Sequence, residues 1–193
     1  MKTVAAVFPA LPQAGQACRD LEHLGIPRED ISLIAGNDWG KHDEYLEKVR
    51  HASTPTGTAA ASGAVIGGGL ALLATMATIA IPGVGPILAL GPILTAVLGL
   101  GVGATAGSLI ATFHNLGISR EEAPIYEEAV RRGEIVVAAI VDEQFERDAV
   151  AVLERNGSVE VRDELDPWAE NDWSGPKLDP HPYVSDSAVR SSY

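Results

Sequence analysis

The feature that most constrains this chain is a run of 69 residues, between Arg50 and Arg120, that contains no Asp, Glu, Lys or Arg. A typical soluble domain carries about a quarter of its residues as these four types, so roughly seventeen would be expected in a run of this length. A segment that offers so few charges to water is expected to be buried, either in a membrane or against other protein.

The composition of this run predicts two apolar helices. Thr58–Ile81 gives 24 residues of small and apolar types, about 36 Å as a helix, and Pro92–Phe113 gives 22 residues, about 33 Å. Either length suffices to cross the hydrocarbon core of a bilayer. Because proline lacks an amide donor and glycine adopts turn geometry, we expect a hairpin turn between the helices. The predicted turn residues are Pro82, Gly83, Gly85 and Pro86.

Glycines recur every four residues along both predicted helices. They are Gly63 and Gly67 on the first helix, and Gly99, Gly103 and Gly107 on the second. This spacing places them in one stripe, where the missing side chains let helix backbones approach closely. A helix-interior glycine costs about 1 kcal/mol relative to alanine in water, so tight packing in an apolar setting is the expected compensation. These five glycines are the predicted helix-packing residues.

Two environments fit such a hairpin. Cations flank it on both sides, which favours insertion from the cytoplasmic face of a membrane; they are Lys41, Lys48, Arg50, Arg120, Arg131 and Arg132. The arms are richer in Ala and Gly than in Leu and Phe, and no Trp or Tyr belt marks an interface. Those features favour the core of a homo-oligomer, whose hairpins would enclose an apolar chamber for a lipid or quinone.

The segment before the hairpin predicts a β-α-β unit. Thr3–Phe8 is a β-rich run that ends at Pro9, and Ile31–Ala35 is a second one. Between them lies a helix that ends at Gly25. Its apolar face is predicted to be formed by Leu11, Ala14, Cys18 and Leu21.

The segment after the hairpin predicts a related unit. A helix opens at the capping box Ser119–Glu122, in which hydroxyl and carboxylate satisfy exposed amides reciprocally. Ile135–Val141 is predicted to be a buried central strand, and Val159–Val161 is predicted to be a last strand. The helix between these strands is expected to turn four residues inward: Phe145, Ala149, Val152 and Leu153.

Two such units predict an α+β fold, a ferredoxin-like antiparallel sheet with helices on one face, split by the hairpin. The other face is expected to be open to a partner or a second copy. The predicted divisions are residues 1–57 for the first half, 58–116 for the hairpin, 117–162 for the second half and 163–193 for a tail. The tail is acidic and proline-rich, and is expected to dock on a partner or a neighbouring subunit. Its docking residues are predicted to be Trp168, Trp173, Tyr183 and Tyr193.

No catalytic constellation stands out in the sequence, and we expect no enzyme activity, no metal and no cofactor. The five histidines show no metal-ligand spacing, and Gly101–Ala106 resembles a dinucleotide fingerprint only within an apolar helix. The lone Cys18 is expected to be a small core residue. A net charge of −12, with no cationic cluster, argues against nucleic-acid binding.

Several short motifs, in this order, resemble those of bacterial general-stress or heat-induced stress proteins. They are Gly25-Ile26-Pro27, Ile81-Pro82-Gly83-Val84-Gly85-Pro86, Leu116-Gly117-Ile118 before Glu121-Glu122, and Tyr126-Glu127 leading to Val130-Arg131-Arg132-Gly133. The resemblance covers roughly residues 1 to 162, and it implies a cytoplasmic or membrane-associated protein without catalytic residues. We therefore expect a non-enzymatic, membrane-associated homo-oligomer. The alternative is an oligomeric scaffold that shelters an apolar ligand and docks an enzyme through its tails.

Overall fold

The computed structural model describes residues 1–37, 40, 42–53, 73, 75–81, 84–99 and 108–159. Over these residues the chain is α+β, with six α-helices around one five-stranded antiparallel sheet. The strands are β1 (Lys2–Phe8), β2 (Ile31–Gly36), β3 (Ala77–Ile81), β4 (Gly85–Leu90) and β5 (Ile135–Val141). The helices are α1 (Leu11–Leu24), α2 (Asp43–Ser53), α3 (Pro92–Gly99), α4 (Ser108–Asn115), α5 (Ala123–Arg131) and α6 (Glu146–Arg155).

The strands lie in the order β1-β5-β2-β4-β3, and every neighbouring pair is antiparallel. Strands β1 and β2 are therefore parallel to each other and separated by β5. The predicted strands at 3–8, 31–35 and 135–141 are confirmed. The continuous apolar sequence of β5 suits a strand that is buried on both faces.

Helices α1 and α6 cover the first face of the sheet. All four α1 residues predicted to point inward are buried: Leu11, Ala14, Cys18 and Leu21. On α6 the three predicted positions are also buried: Ala149, Val152 and Leu153. Phe145, predicted on the same helix, lies in the turn just before it and is partly buried against the same core. Helix α1 ends at Gly25 with φ of 100°, the left-handed conformation that glycine adopts at low cost. Leu46 of α2, Leu73 and Met76 extend this layer.

The second face of the sheet is covered as well, so the predicted open face is wrong. Ile93 of α3, Leu109 and Phe113 of α4, and Tyr126 of α5 pack on Val7, Ala5 and the other β residues of that face. This covering comes both from the charge-free run, through α3 and α4, and from α5. The predicted hairpin projects away from the sheet, so it leaves the apolar residues of the run unavailable to cover this face.

The predicted helical hairpin is also wrong where the structure describes it. Ala77–Ile81 forms strand β3, and the chain reverses between Ile81 and Gly85, which pair with each other in a β-hairpin. The alternation of Thr78, Ile79 and Ala80, with β-branched residues, favours a strand over a helix. Of the second predicted helix, α3 and α4 are present and pack against each other, which two ends of one straight helix cannot do. Among the described residues, no helix combines the length and apolar character needed to cross a membrane.

The predicted capping box before α5 is confirmed in part: the Ser119 hydroxyl accepts an amide as predicted, whereas the described bond of the Glu122 carboxylate is to the Ser119 hydroxyl rather than to an amide. The backbone N–H of Glu122 donates to Ser119 Oγ at 3.1 Å, and the Ser119 hydroxyl donates to the Glu122 carboxylate at 2.6 Å. The Ser119 carbonyl accepts the N–H of Ala123, the first residue of α5. The box therefore fixes the point at which the chain leaves the charge-free run and enters α5.

Candidate assembly surface

The most unusual surface of the described fold is the edge formed by β3. Its partner β4 lies on one side, with Thr78 opposite Leu88 and Ile79 opposite Ile87. No strand within the described ranges pairs with the other side of β3. Within the described part of the chain, the backbone N–H and C=O groups of this five-residue strand that point away from β4 therefore have no strand partner.

Side chains on β3 alternate between exposed and partly covered positions. Thr78 and Ala80 are exposed, whereas Ile79 is half-buried against the second-face core and Ile81 is buried. The strand lies inside the charge-free run, so none of its side chains carries a charge. Natural proteins usually protect edge strands with charged side chains, prolines or bulges. A neutral, β-branched edge without such protection accepts another strand readily.

The β3-β4 hairpin is held firmly to the rest of the sheet. Gly85 has φ of 103°, and the Val84 N–H donates to the Ile81 carbonyl oxygen at 3.1 Å, closing the reversal. At the other end of β4, Gly91 has φ of 75°, and a Cβ there would overlap the carbonyl oxygen of Ile31. Glycine is required at 91 for both reasons. Edge strand β3 is therefore joined to β4, whose two ends are fixed by the reversal at Val84 and the close contact at Gly91.

A polar loop lies beside the start of β4. The Asn37 N–H donates to the Pro86 carbonyl oxygen at 2.8 Å, and the Asn37 side chain accepts the His42 N–H at 3.1 Å and donates to Asp43 Oδ1 at 2.8 Å. Asn37 and His42 are buried. One amide side chain thus organises the connection from β2 to α2. Among the described residues, no group of three His, Cys, Asp or Glu side chains could hold a metal ion.

Helices α3 and α4 flank residues 100–107 and are each held by a side chain from a neighbouring element. The Ile93 N–H at the start of α3 donates to Ser32 Oγ on β2 at 3.2 Å. The Ile110 N–H at the start of α4 donates to Glu127 Oε2 on α5 at 3.1 Å. These bonds satisfy amides that the helices leave unpaired at their N-termini.

Glu127 carries an electrostatic cost in this position. Burial raises the pKa of its carboxyl group and the neighbouring Glu128 raises it further, while the Ile110 N–H and the Arg131 guanidinium act in the opposite direction. The neighbouring Glu128 is also buried, but its negative charge is balanced by two arginines. Arg131 Nε donates to Glu128 Oε2 at 2.8 Å, and Arg132 Nε donates to Glu128 Oε1 at 2.6 Å. The start of α4 is therefore held by a half-buried carboxylate, and the Ile110 N–H and Arg131 only partly offset the cost of burying its charge.

Few of the predicted site residues fall within the described part of the chain. Gly99 is the last residue of α3, and Gly85 and Pro86 are the first two residues of β4, opposite Ile81 and Ala80. The remaining predicted packing and turn residues lie outside the described residues: Gly63, Gly67, Gly103, Gly107, Pro82 and Gly83. The predicted docking residues of the tail lie outside them too: Trp168, Trp173, Tyr183 and Tyr193.

The β3 edge itself was missed by the sequence analysis. The signal for this strand is the alternation of larger and smaller residues in Ala77-Thr78-Ile79-Ala80-Ile81, but the same residues also continue the apolar run that predicts a helix over 58–81.

Comparison with protein-family models, with curated proteins and with solved structures gave no match. The resemblance to general-stress proteins thus stays a prediction from short motifs.

Proposed function

We propose that this chain is a non-enzymatic, homo-oligomeric stress-type protein, located at the cytoplasmic face of a membrane. The observation that carries the proposal is the uncharged edge strand β3 inside a charge-free run. The run supplies a neutral strand edge for pairing between copies, and its glycine-rich parts at 54–72 and 100–107 supply an apolar surface for lipid. Gly63, Gly67, Gly103 and Gly107 fall in those parts.

Pairing between copies is proposed at β3. Two β3 strands related by a twofold axis would lie antiparallel, and each would satisfy the open N–H and C=O groups of the other. Neutral residues on both copies create no electrostatic repulsion. Thr78 and Ala80 would meet the same pair of residues from the second copy on one face of the joined sheet.

A lysine on the edge tests this pairing. Thr78→Lys places a charge on the exposed side of β3, the device by which natural edge strands resist pairing. Thr95→Lys is the matched control, because Thr95 is also exposed and also lies in the charge-free run, but on α3. We expect native mass measurement to give a single chain for Thr78→Lys and an oligomer for Thr95→Lys. Equal masses for the two variants would contradict the proposal.

Membrane association is tested separately, by flotation with vesicles that contain anionic phospholipid. Leu70→Arg, in the segment 54–72, is expected to abolish flotation, because a charge in hydrocarbon costs about 2.5–3.5 kcal/mol on insertion scales. Leu73 is unsuitable for this test, since it is buried in the core of the first face and a charge there would unfold the protein. Flotation of Leu70→Arg equal to that of the wild type would contradict membrane insertion by this segment.

We also propose that the two flanking parts form a split ferredoxin-like domain. The support is the antiparallel bridge between Val7 and Val159, which places Val159 on the outer side of β1. The order then becomes the Val159 segment, β1, β5 and β2, with α1 and α6 as the two crossover helices. In this description the β3-β4 hairpin is an extension at the side of β2.

A second candidate function is an oligomeric scaffold whose apolar segments enclose a chamber for a lipid or quinone. One observation favours it: the described parts of the charge-free run pack onto protein, with Ile93, Leu109 and Phe113 in the core of the second face. The tails would then dock a partner enzyme through their aromatic residues. The particle purified without detergent would yield a lipid or quinone on organic extraction, and it would not float with vesicles.

A further inference from the structure

Helix α6 is followed by Asn156-Gly157, which is the one Asn-Gly pair in the sequence. In such a pair the glycine backbone nitrogen can attack the side-chain carbonyl carbon of the asparagine. A C–N bond forms, the amide nitrogen leaves as ammonia together with the glycine proton, and water then opens the succinimide ring to aspartate or isoaspartate. Asparagine is one of the thermolabile residues of proteins, and glycine obstructs this attack least because it has no Cβ.

The end of α6 requires the glycine of this pair. Gly157 has φ of 83°, a left-handed conformation that other residues rarely adopt. Its N–H donates to the Glu154 carbonyl oxygen at 2.9 Å. The Ser158 N–H donates to the Leu153 carbonyl oxygen at 3.3 Å, and these two bonds together form a Schellman cap. The cap therefore places glycine directly after Asn156.

The asparagine of the pair joins α6 to α1. Asn156 Nδ2 donates to Asp20 Oδ2 on α1 at 3.0 Å and to the Val152 carbonyl oxygen at 2.8 Å, so both amide hydrogens have acceptors. Gln16 Nε2 donates to the other Asp20 oxygen at 2.9 Å. Burial by itself raises the pKa of the Asp20 carboxyl, but the bonds from Asn156 and Gln16 and the charge of Arg155 bring that pKa below its ordinary value. The amide at 156 thus holds an ionised carboxylate of the neighbouring helix.

The folded conformation keeps the reacting atoms of the pair apart. Asn156 has ψ of 5°, which eclipses the Gly157 nitrogen with the Asn156 nitrogen rather than with Cβ. The succinimide ring contains both Cβ and the Gly157 nitrogen, so ring closure requires rotation about the Cα–C bond. That rotation would break the bond from the Gly157 N–H to Glu154. The reaction therefore requires local opening at the end of α6.

We propose that Asn156 is a deamidation site that the folded chain shields, and that its conversion uncouples α6 from α1. Conversion replaces the amide donor by a carboxylate, so two negative charges face each other where Asn156 bonds Asp20. Isoaspartate also adds a methylene group to the backbone within the Schellman cap. Because the product does not revert to asparagine, a chain that has opened at this site keeps the weakened contact. The inference does not rest on the proposed function, because it concerns a reaction within one chain.

Deamidation of the full-length wild type, in buffer and in urea, tests the shielding. Mass spectrometry follows the replacement of NH₂ by OH in the tryptic peptide 156–162, which cleavage after Arg155 and Arg162 releases. A sample that has not been incubated gives the background of the digest. We expect conversion in urea and a rate at least about tenfold lower in the native protein, because only the opened fraction reacts. Equal rates, or no conversion in urea, would overturn the proposal.

A change at Asp20 tests the contact that holds the amide. Asp20→Ala removes the acceptor on α1, so we expect the native protein to deamidate at 156 faster than the wild type does. Asp148→Ala is the matched control, because Asp148 is an exposed aspartate on α6. Equal acceleration in the two variants would assign the effect to general loss of stability and overturn the role of Asp20. The comparison of the wild type in buffer and in urea stands even if Asp20→Ala does not fold.

The consequence of conversion is tested by urea unfolding of two variants. Asn156→Asp reproduces the aspartate product, whereas Asn156→Ala only removes the donor. We expect a lower urea midpoint for Asn156→Asp than for Asn156→Ala, and we expect this difference to close when each is combined with Asp20→Asn, which removes the second charge. A wild-type midpoint for Asn156→Asp, or a difference that persists with Asp20→Asn, would contradict the proposed uncoupling.

Discussion

At the residue scale, the positions that sequence could predict are those whose role is set by neighbours in the chain. Gly25 follows an amphipathic helix and ends it, and Ser119 precedes Glu122 at the spacing at which its hydroxyl accepts the Glu122 N–H. The role of Glu127, by contrast, is set by a residue distant in the chain. Its role at the start of α4 depends on a contact with Ile110, 17 residues earlier, which no local pattern indicates.

Glu127 predicts a measurable dependence of stability on pH. Its pKa is raised in the folded state, chiefly by burial, so the folded protein holds this proton more tightly than the unfolded chain. The resulting stability is fully present below the unfolded pKa and is lost as pH rises through the folded value. Glu127→Gln keeps an oxygen that can accept the Ile110 N–H and carries no proton to lose.

We therefore expect the free energy of unfolding of Glu127→Gln to increase relative to that of the wild type as pH rises above about 4.5, near the pKa of Glu in model peptides. Urea unfolding at several pH values measures the difference. Glu143→Gln is a suitable control, because Glu143 is exposed in the turn before α6. A difference between Glu127→Gln and the wild type that is constant across the pH range would refute this account of the carboxylate.

At the scale of elements, prediction succeeded where an element is defined by its own sequence and failed where it depends on another one. Strand β5 was predicted with its observed bounds, because seven consecutive apolar residues between turn signals leave few alternatives. Strand β3 was missed, because Ala, Thr and Ile are compatible with an apolar helix, and only pairing with β4 selects the extended form. Burial of the second face was missed because its covering residues are distant in sequence.

Close approach between β2 and the end of α5 gives a second test. A Cβ at Gly36 would overlap the Val130 carbonyl oxygen and lie 2.8 Å from Gly133 Cα, both of them backbone atoms that cannot move independently. Gly36→Ala should lower the free energy of unfolding by at least about 2 kcal/mol, within the range for overpacking. Gly25→Ala is the control: it has a positive φ but open space, and should cost about 1 kcal/mol. A smaller loss for Gly36→Ala than for Gly25→Ala would contradict this packing.

At the scale of the whole molecule, the charge-free run has one use that the structure shows and a second that we propose. Its described parts complete the sheet with β3 and β4 and cover the second face with α3 and α4. For its Ala- and Gly-rich parts at 54–72 and 100–107, contact with lipid is the proposed role. The sequence from 163 onward carries charges mainly of one sign, and in the proposed scaffold these would speed approach to a partner, while the aromatic residues would supply the contact. Sequence could predict that apolar residues of the run are buried, as Leu73, Ile93 and Phe113 are, but not which elements bury them.

The central claim, that copies of this chain assemble, is tested most directly by the native mass of the full-length wild type in solution. One chain has a mass of 20.2 kDa. The account predicts a discrete particle at two or more times that mass, with and without mild detergent, which Thr78→Lys reduces to 20.2 kDa. A wild-type particle that stays at 20.2 kDa at micromolar concentration, in both conditions, would contradict it.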